Sequence, residues 1–248
     1  MNQSQPRIGN FTSSEIVALT KVGSNKANWG KPALTYINEC NMERKLGRSV
    51  THDVTARPLS WGKLLEPHCF DLLGLEYKLC SLDTLLHPSI NCWSGSPDGE
   101  KFDNGKTVID IKCPMTLKSF CTMVDCLDAE NPIEALRENH TDGDKYYWQL
   151  VSNAILTGAK FAELIVYMPY QSELEDIRER ARNFDGLEQK NYYWVHVAED
   201  NELPYLLDGW HYKNINVIRF EVPQEDKDFL TNKVIEASNM LIEPFKKI

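Results

Sequence analysis

The 248-residue chain has no apolar run long enough to span a bilayer, and its opening, MNQSQPRIGN, has no hydrophobic stretch of a secretory signal. It also has no CxxC pair. The seven Cys are odd in number and all fall between Cys40 and Cys126, which argues against a disulfide scaffold or zinc ribbon and for a reducing cytoplasm. No repeat, low-complexity tract or Pro/Gly/Ser-rich linker interrupts the chain, so a single domain over 1–248 is expected. Basic residues are scarce as well. There are 27 Lys+Arg against 36 Asp+Glu, a formal net charge of −9, which speaks against a generic coat for nucleic acid. The deficit is uneven, however: residues 1–60 carry 8 basic and 4 acidic side chains, so a local anion site is compatible with the acidic whole.

What is present is a globular composition, 42% hydrophobic and 25% charged. Thr12-Ser13-Ser14-Glu15 before Ile16, Val17 and Leu19 predicts a capped helix start. Further helices are expected from Pro32 to just before Gly47, from Ser60 to Gly74, from Leu117 to Leu127, and from Asp144 to Leu156 with closure at Gly158. Pro223 to Lys247 reads as a long amphipathic helix. Strands are expected at Ile90–Ser96, Thr107–Lys112, Phe161–Met168, Tyr192–Val197 and, at an edge, Val217–Val222. Asp103-Asn104-Gly105-Lys106 supplies a hairpin turn. The pattern predicts an α/β or α+β domain with a mixed central sheet flanked by helices.

The informative stretch is Ser96-Pro97-Asp98-Gly99 followed by Asp110-Ile111-Lys112. Residues two apart on a strand share a face, so Asp110 and Lys112 point one way and Ile111 the other. A hairpin register brings Asp98 beside Asp110. Two adjacent carboxylates repel, and a divalent cation between them is the economical explanation. Magnesium keeps several waters, one of which can act as a nucleophile with Lys112 beside it. An acidic-x-Lys triplet alone is weak: Glu43 to Lys45, Glu76 to Lys78, Glu188 to Lys190 and Glu225 to Lys227 match too, and most such triplets are solvated ion pairs. Glu66, in Trp61-Gly62-Lys63-Leu64-Leu65-Glu66, and Gln149, in Tyr146-Tyr147-Trp148-Gln149, sit on the helices before and after the hairpin. Taken singly, each has a structural explanation.

Together, Arg7-x-Gly9-x-x-Thr12-x-Ser14, Trp61-Gly62-x-x-x-Glu66, Ser96-Pro97-Asp98-Gly99, Asp110-Ile111-Lys112-Cys113-Pro114 and Gln149 resemble, in order and spacing, the lambda exonuclease (YqaJ-like viral recombinase) family of PD-(D/E)xK nucleases. The resemblance implies a Mg²⁺-dependent exonuclease, with Mn²⁺ as a possible substitute and two ions per site. It would digest one strand of duplex DNA from its 5′ end. On this likeness Glu66, Asp98, Asp110 and the Ile111 carbonyl hold metal, Lys112 acts on the attacking water, and Gln149 supports the site. An Asp at 110 stands where many relatives carry Glu.

The likeness also implies a pocket for the terminal 5′ phosphate formed by Arg7, Ser14, Ser96 and Lys118, with Leu59 wedged into the duplex end. It implies a ring-shaped homotrimer and a single-strand annealing protein as partner. Tyr146, Tyr147 and Trp148 could stack on bases, although core packing is the commoner role for such a run. Two other readings stay open: a site- or structure-specific endonuclease using the same chemistry, and a non-catalytic module that binds DNA ends.

Overall fold

The computed structural model describes residues 7–23, 28–50, 56–80, 84–103, 105–184 and 186–244. In chain order these form β1 (Phe11–Thr12), α1 (Val17–Thr20), α2 (Lys31–Leu46), α3 (Arg57–Asp71), β2 (Tyr77–Leu79), β3 (Leu85–Leu86), β4 (Trp93–Gly95), β5 (Gly99–Phe102) and β6 (Lys106–Lys112). Then come α4 (Leu117–Val124), α5 (Pro132–Asn139), α6 (Gly143–Thr157), β7 (Phe161–Tyr167), α7 (Leu174–Arg182), α8 (Gly186–Val197), β8 (Ile215–Glu221) and α9 (Gln224–Ser238).

The larger sheet runs in the order β2-β5-β6-β7-β8, and the smaller in the order β1-β4-β3. β6 and β7 are parallel, joined by a crossover through α4, α5 and α6, while β5–β6 and β7–β8 are antiparallel. The central position of β6 follows from its sequence. In KTVIDIK, Val108 packs on the side of α6 with Leu164 and Val151, while Ile109 and Ile111 pack with Trp61 and Leu65 of α3 and Ile177 of α7. Asp110 shares the face of Val108 and is therefore carried towards α6, 1% exposed.

α3 places its neighbours by the same logic. Trp61, Leu64, Leu65 and Cys69 recur at helical spacing and are fully buried. Truncating a buried Trp of this kind costs about 3–5 kcal/mol, so Trp61→Ala is the change that would release the helix bearing Glu66. α6 ends where expected, on Gly158 in the left-handed region at φ 68°.

Four expectations are corrected. The strand expected at Ile90–Ser96 is only β4, and it belongs to the smaller sheet; β5 is the hairpin partner of β6. Pro97, without an N–H to donate, sits where the chain passes from one sheet to the other. The hairpin loop spans 103–105, of which Asn104 lies outside the described residues. Tyr192–Val197 is helical, within α8: Tyr192, Val195 and Ala198 are buried three apart while Tyr193 and Val197 are exposed.

Thr12 is a strand residue and Ser13 makes no cap. The Ser13 hydroxyl is instead bonded to Ser152 Oγ at 2.8 Å, and α1 begins after Ile16 with no side-chain cap. The last helix stops at Ser238. Beyond it Ile242 bonds Asn41 and Arg44 of α2, ahead of Pro244, which disfavours helix in the residue before it. Residues 245–248 of that expected helix lie outside the described residues. Among those described, no helix is long and apolar enough to cross a membrane.

Candidate active site

Asp98 leaves the crossing segment just before β5, and its Oδ2 accepts the peptide N–H of Ile111 at 2.6 Å. One strand's carboxylate is thereby tied to the backbone of the next, between Asp110 and Lys112. Gly99 makes this approach possible. A Cβ there would lie 2.7 Å from the Lys78 carbonyl oxygen of β2. The Gly of Ser-Pro-Asp-Gly is thus a packing requirement of the β2–β5 pair.

Asp110 is held from two directions. Gln149 Nε2, projecting from α6, donates to its Oδ1 at 2.6 Å, and Lys112 Nζ forms an ion pair with its Oδ2 at 2.5 Å. That Oδ2 is buried and, apart from this charge contact, has no hydrogen-bond partner. Lys112 Nζ also lies 3.5 Å from Gln149 Oε1 and 5.2 Å from the centre of the Tyr146 ring. Burial works against the Lys112 charge, but Asp110 and Asp98 outweigh it and hold its pKa above the ordinary lysine value.

Burial raises the Glu66 carboxyl, and a hydrogen bond with Asp98 counters part of that rise. The Asp98 carboxyl is pushed well above the usual range by burial first, then by the charges of Asp110 and Glu66. Burial and mutual repulsion thus both disfavour the charged forms of this pair. Next to Lys112, burial raises the Cys113 thiol well above its ordinary value, which keeps it from acting as a thiolate.

The structure therefore gathers Glu66, Asp98, Asp110, Ile111, Lys112 and Gln149. Ile111 enters through its peptide N–H. Among the described residues, no group of three or more His, Cys, Asp or Glu side chains is placed so that together they could hold a metal ion. The donor set is nonetheless one of hard oxygens. Its carboxyls, with Asp110 Oδ2 ion-paired to Lys112 at 2.5 Å, are of the oxygen type that a hard divalent cation takes.

Of the five residues of the expected DNA-end pocket, Ser14 and Ser96 each follow by two residues the paired Thr12 and Ser94 of β1 and β4. Arg7 is exposed and lines an open cavity of ≈ 1000 Å³ with Thr12, Lys31, Tyr36 and Glu39, to which none of the six clustered residues contributes. Ser14 Oγ lies 3.3 Å from Thr12 Oγ1, Ser96 Oγ donates to Thr84 Oγ1 at 3.2 Å, and Lys118 is exposed on the first turn of α4. No hydrogen bond or ion pair among the described residues joins Arg7, Ser14, Ser96 and Lys118 to one another. Leu59 is 51% exposed at the start of α3.

Of the aromatic run, Tyr147 and Trp148 are core residues. Tyr146 is half-buried against Lys112, a contact that sequence reasoning missed. Its only signal there is the three-residue spacing from Gln149, which sets both on neighbouring turns of one helix face.

No family model matches the chain, and no curated protein matches it. Solved structures do. An alkaline exonuclease from Laribacter hongkongensis superimposes with a TM-score of 0.58 at 15% identity, over 94% of this chain and 89% of that one. The same protein in complex with dAMP gives 0.58 at 15% identity, over 97% and 92%. A phage-related exonuclease from Haemophilus somnus 129PT gives 0.60 at 15% identity, over 93% and 92%. The mixed sheet flanked by helices is thus an α/β fold shared with these exonucleases.

Proposed function

We propose that the chain is a Mg²⁺-dependent exonuclease of double-stranded DNA that works from 5′-phosphorylated ends and leaves 3′ single strands for recombination. The observation that carries this reading is the meeting of Asp98, Asp110, Lys112 and Gln149 at the β5–β6 hairpin, with Glu66 beside them, in a fold shared with exonucleases. Nothing about a binding module requires carboxyls to be crowded around a lysine at the cost of stability.

Glu66, Asp98 and Asp110 would hold the metal, which supplies Lewis-acid polarisation of the scissile phosphate and a more acidic water. The chain's own residues do the rest. Gln149 fixes the Asp110 carboxylate in orientation, and Lys112 stays an ammonium at neutral pH, because its pKa is raised. It therefore acts as a donor and not as a base. It holds the attacking water and stabilises negative charge on the phosphate as the new P–O bond forms and the bond to the 3′ oxygen breaks, the water's proton passing to solvent and the departing 3′ oxygen taking one from solvent.

The basic first quarter of the chain, including Arg7, supports capture of a terminal 5′ phosphate, with Ser14, Ser96 and Lys118 as further contacts and Leu59 at the duplex end. A ring-shaped trimer would enclose DNA despite the net charge of −9, and a single-strand annealing protein would receive the product strand.

The test is digestion of linear and of covalently closed circular duplex in Mg²⁺, with each 5′ end either phosphorylated or not. The reading expects loss of linear DNA from phosphorylated ends and an intact circle. Cutting of the circle would favour the endonuclease reading, and equal rates on the two kinds of end would remove the phosphate pocket.

A further inference from the structure

We infer that Tyr146 is a positioning residue for Lys112, its ring face forming a third wall around the ammonium group. The inference rests on the nuclease reading for what Lys112 does, but the contact itself is independent of it. Lys112 Nζ stands 5.2 Å from the Tyr146 ring centre, within the range in which a cation is attracted to an aromatic face. Its other contacts are Asp110 Oδ2 at 2.5 Å and Gln149 Oε1 at 3.5 Å.

A lysine stem has large rotamer entropy, so the number of walls decides how well the charge is placed. Asp110 is a shared wall: any divalent cation held by that carboxylate competes with Lys112 for it. Gln149 is at the limit of hydrogen bonding and spends its amide nitrogen on Asp110. The ring is the contact that metal binding leaves untouched.

Tyr146 is itself fixed from behind. The His140 ring stacks on it, with centroids 5.7 Å apart and planes at 28°. Both His140 nitrogens are engaged. Nδ1 accepts the peptide N–H of Asp142 at 3.1 Å, which leaves Nε2 as the protonated nitrogen donating to Ser119 Oγ at 2.8 Å. Burial lowers the His140 pKa, so the ring behind Tyr146 is neutral and does not oppose the Lys112 charge. Ser119, His140, Tyr146 and Lys112 thus form a line from the first turn of α4 to the carboxylate cluster. Tyr147 and Trp148, next in sequence, face the core, so Tyr146 alone of the run is available for this role.

The experiment compares Tyr146→Leu with Tyr146→Phe in the full chain by two readouts. On linear duplex with Mg²⁺, Tyr146→Leu should lower kcat roughly 3- to 30-fold, the worth of one partly desolvated cation–π contact, with KM unchanged. Tyr146→Phe should restore kcat, because the ring face and not the hydroxyl makes the contact. In ¹³C-lysine-labelled protein, with the resonance assigned by its absence in Lys112→Arg, the Lys112 ε-methylene protons should lie upfield in wild type and in the Phe variant. In the Leu variant they should return to the position of the other lysines. Full kcat in Tyr146→Leu, an equal loss in Tyr146→Phe, or an unmoved Lys112 resonance would overturn the proposal. Absence of digestion by wild type would instead overturn the nuclease reading, and with it the role of Lys112, while the resonance would still report the contact.

Discussion

Asp98 Oδ2 accepts the peptide N–H of Ile111 at 2.6 Å, so the carboxyl before β5 is fastened to the backbone of β6 between Asp110 and Lys112. That bond sets the spacing of the two aspartates. It also keeps Asp98 close to Asp110 and Glu66, whose charges raise its pKa after burial.

The raised pKa predicts a trade between stability and activity. Burial, Asp110 and Glu66 all raise the Asp98 pKa, so its charged form is disfavoured in the folded, metal-free chain. A carboxyl whose folded pKa is raised stabilises the protein below its unfolded pKa, and that stability is lost as pH rises through the folded value. Asp98→Asn keeps an oxygen for the Ile111 N–H and removes the charge. It should raise the metal-free melting temperature at pH 7 by a few degrees, on the order of 1 kcal/mol, and abolish digestion. Calorimetry with and without Mg²⁺ checks this: Mg²⁺ should stabilise wild type more than the variant.

On the proposed reading Gln149 acts through Asp110, not on substrate. Gln149→Leu removes the 2.6 Å bond to Oδ1 and should lower kcat roughly 10- to 100-fold, as expected for loss of a group that orients a metal ligand. The melting temperature should change little. Steady-state kinetics across a Mg²⁺ series separates the two effects, and the variant should need more Mg²⁺ for half-maximal rate.

Gly99 is a steric requirement. Gly99→Ala drives a Cβ to 2.7 Å from the Lys78 carbonyl oxygen and 2.9 Å from Ile109 Cδ1, and should cost about 1–3 kcal/mol of stability. Because Asp98 precedes it directly, activity should fall with stability. Chemical denaturation measures the first and nucleotide release the second.

Much of this site was legible because the apolar periodicity of KTVIDIK and of α6 is unambiguous, and each carries its polar residue on a defined face. Gly158 and Gly47 closed their helices as expected, both in left-handed geometry. Three things were hidden. The run YYWVHV is apolar at both periods, and only packing against α3 and α7 selects helix. Ile90–Ser96 reads as an arm of the hairpin until the smaller sheet claims β4. Tyr146 reads as core because a half-buried ring above a lysine depends on where another strand ends, which no local pattern encodes.

A structural carboxylate away from the cluster gives the opposite pH behaviour. Burial works against the Glu173 charge, but His68 Nε2 at 3.6 Å, the Tyr170 N–H, Asn214 and the Tyr167 hydroxyl outweigh it and lower its pKa below the ordinary 4.5. A depressed carboxylate pKa stabilises above the unfolded value, and that stability is lost as pH falls through the folded one. Glu173→Gln should therefore cost about 1–2 kcal/mol at pH 7. Melting curves from pH 7 to pH 3 should show the gap from wild type closing at the acid end.

The central claim is that the carboxylates around Asp110 hold metal for DNA hydrolysis. The most direct measurement is release of nucleotides from a 5′-phosphorylated linear duplex by wild type, Asp110→Asn and Lys112→Ala, each in Mg²⁺ and in EDTA. The account predicts release by wild type in Mg²⁺ only, and a loss of at least about 100-fold in both variants while they remain folded. Equal release by all three proteins, or release that persists in EDTA, would contradict it.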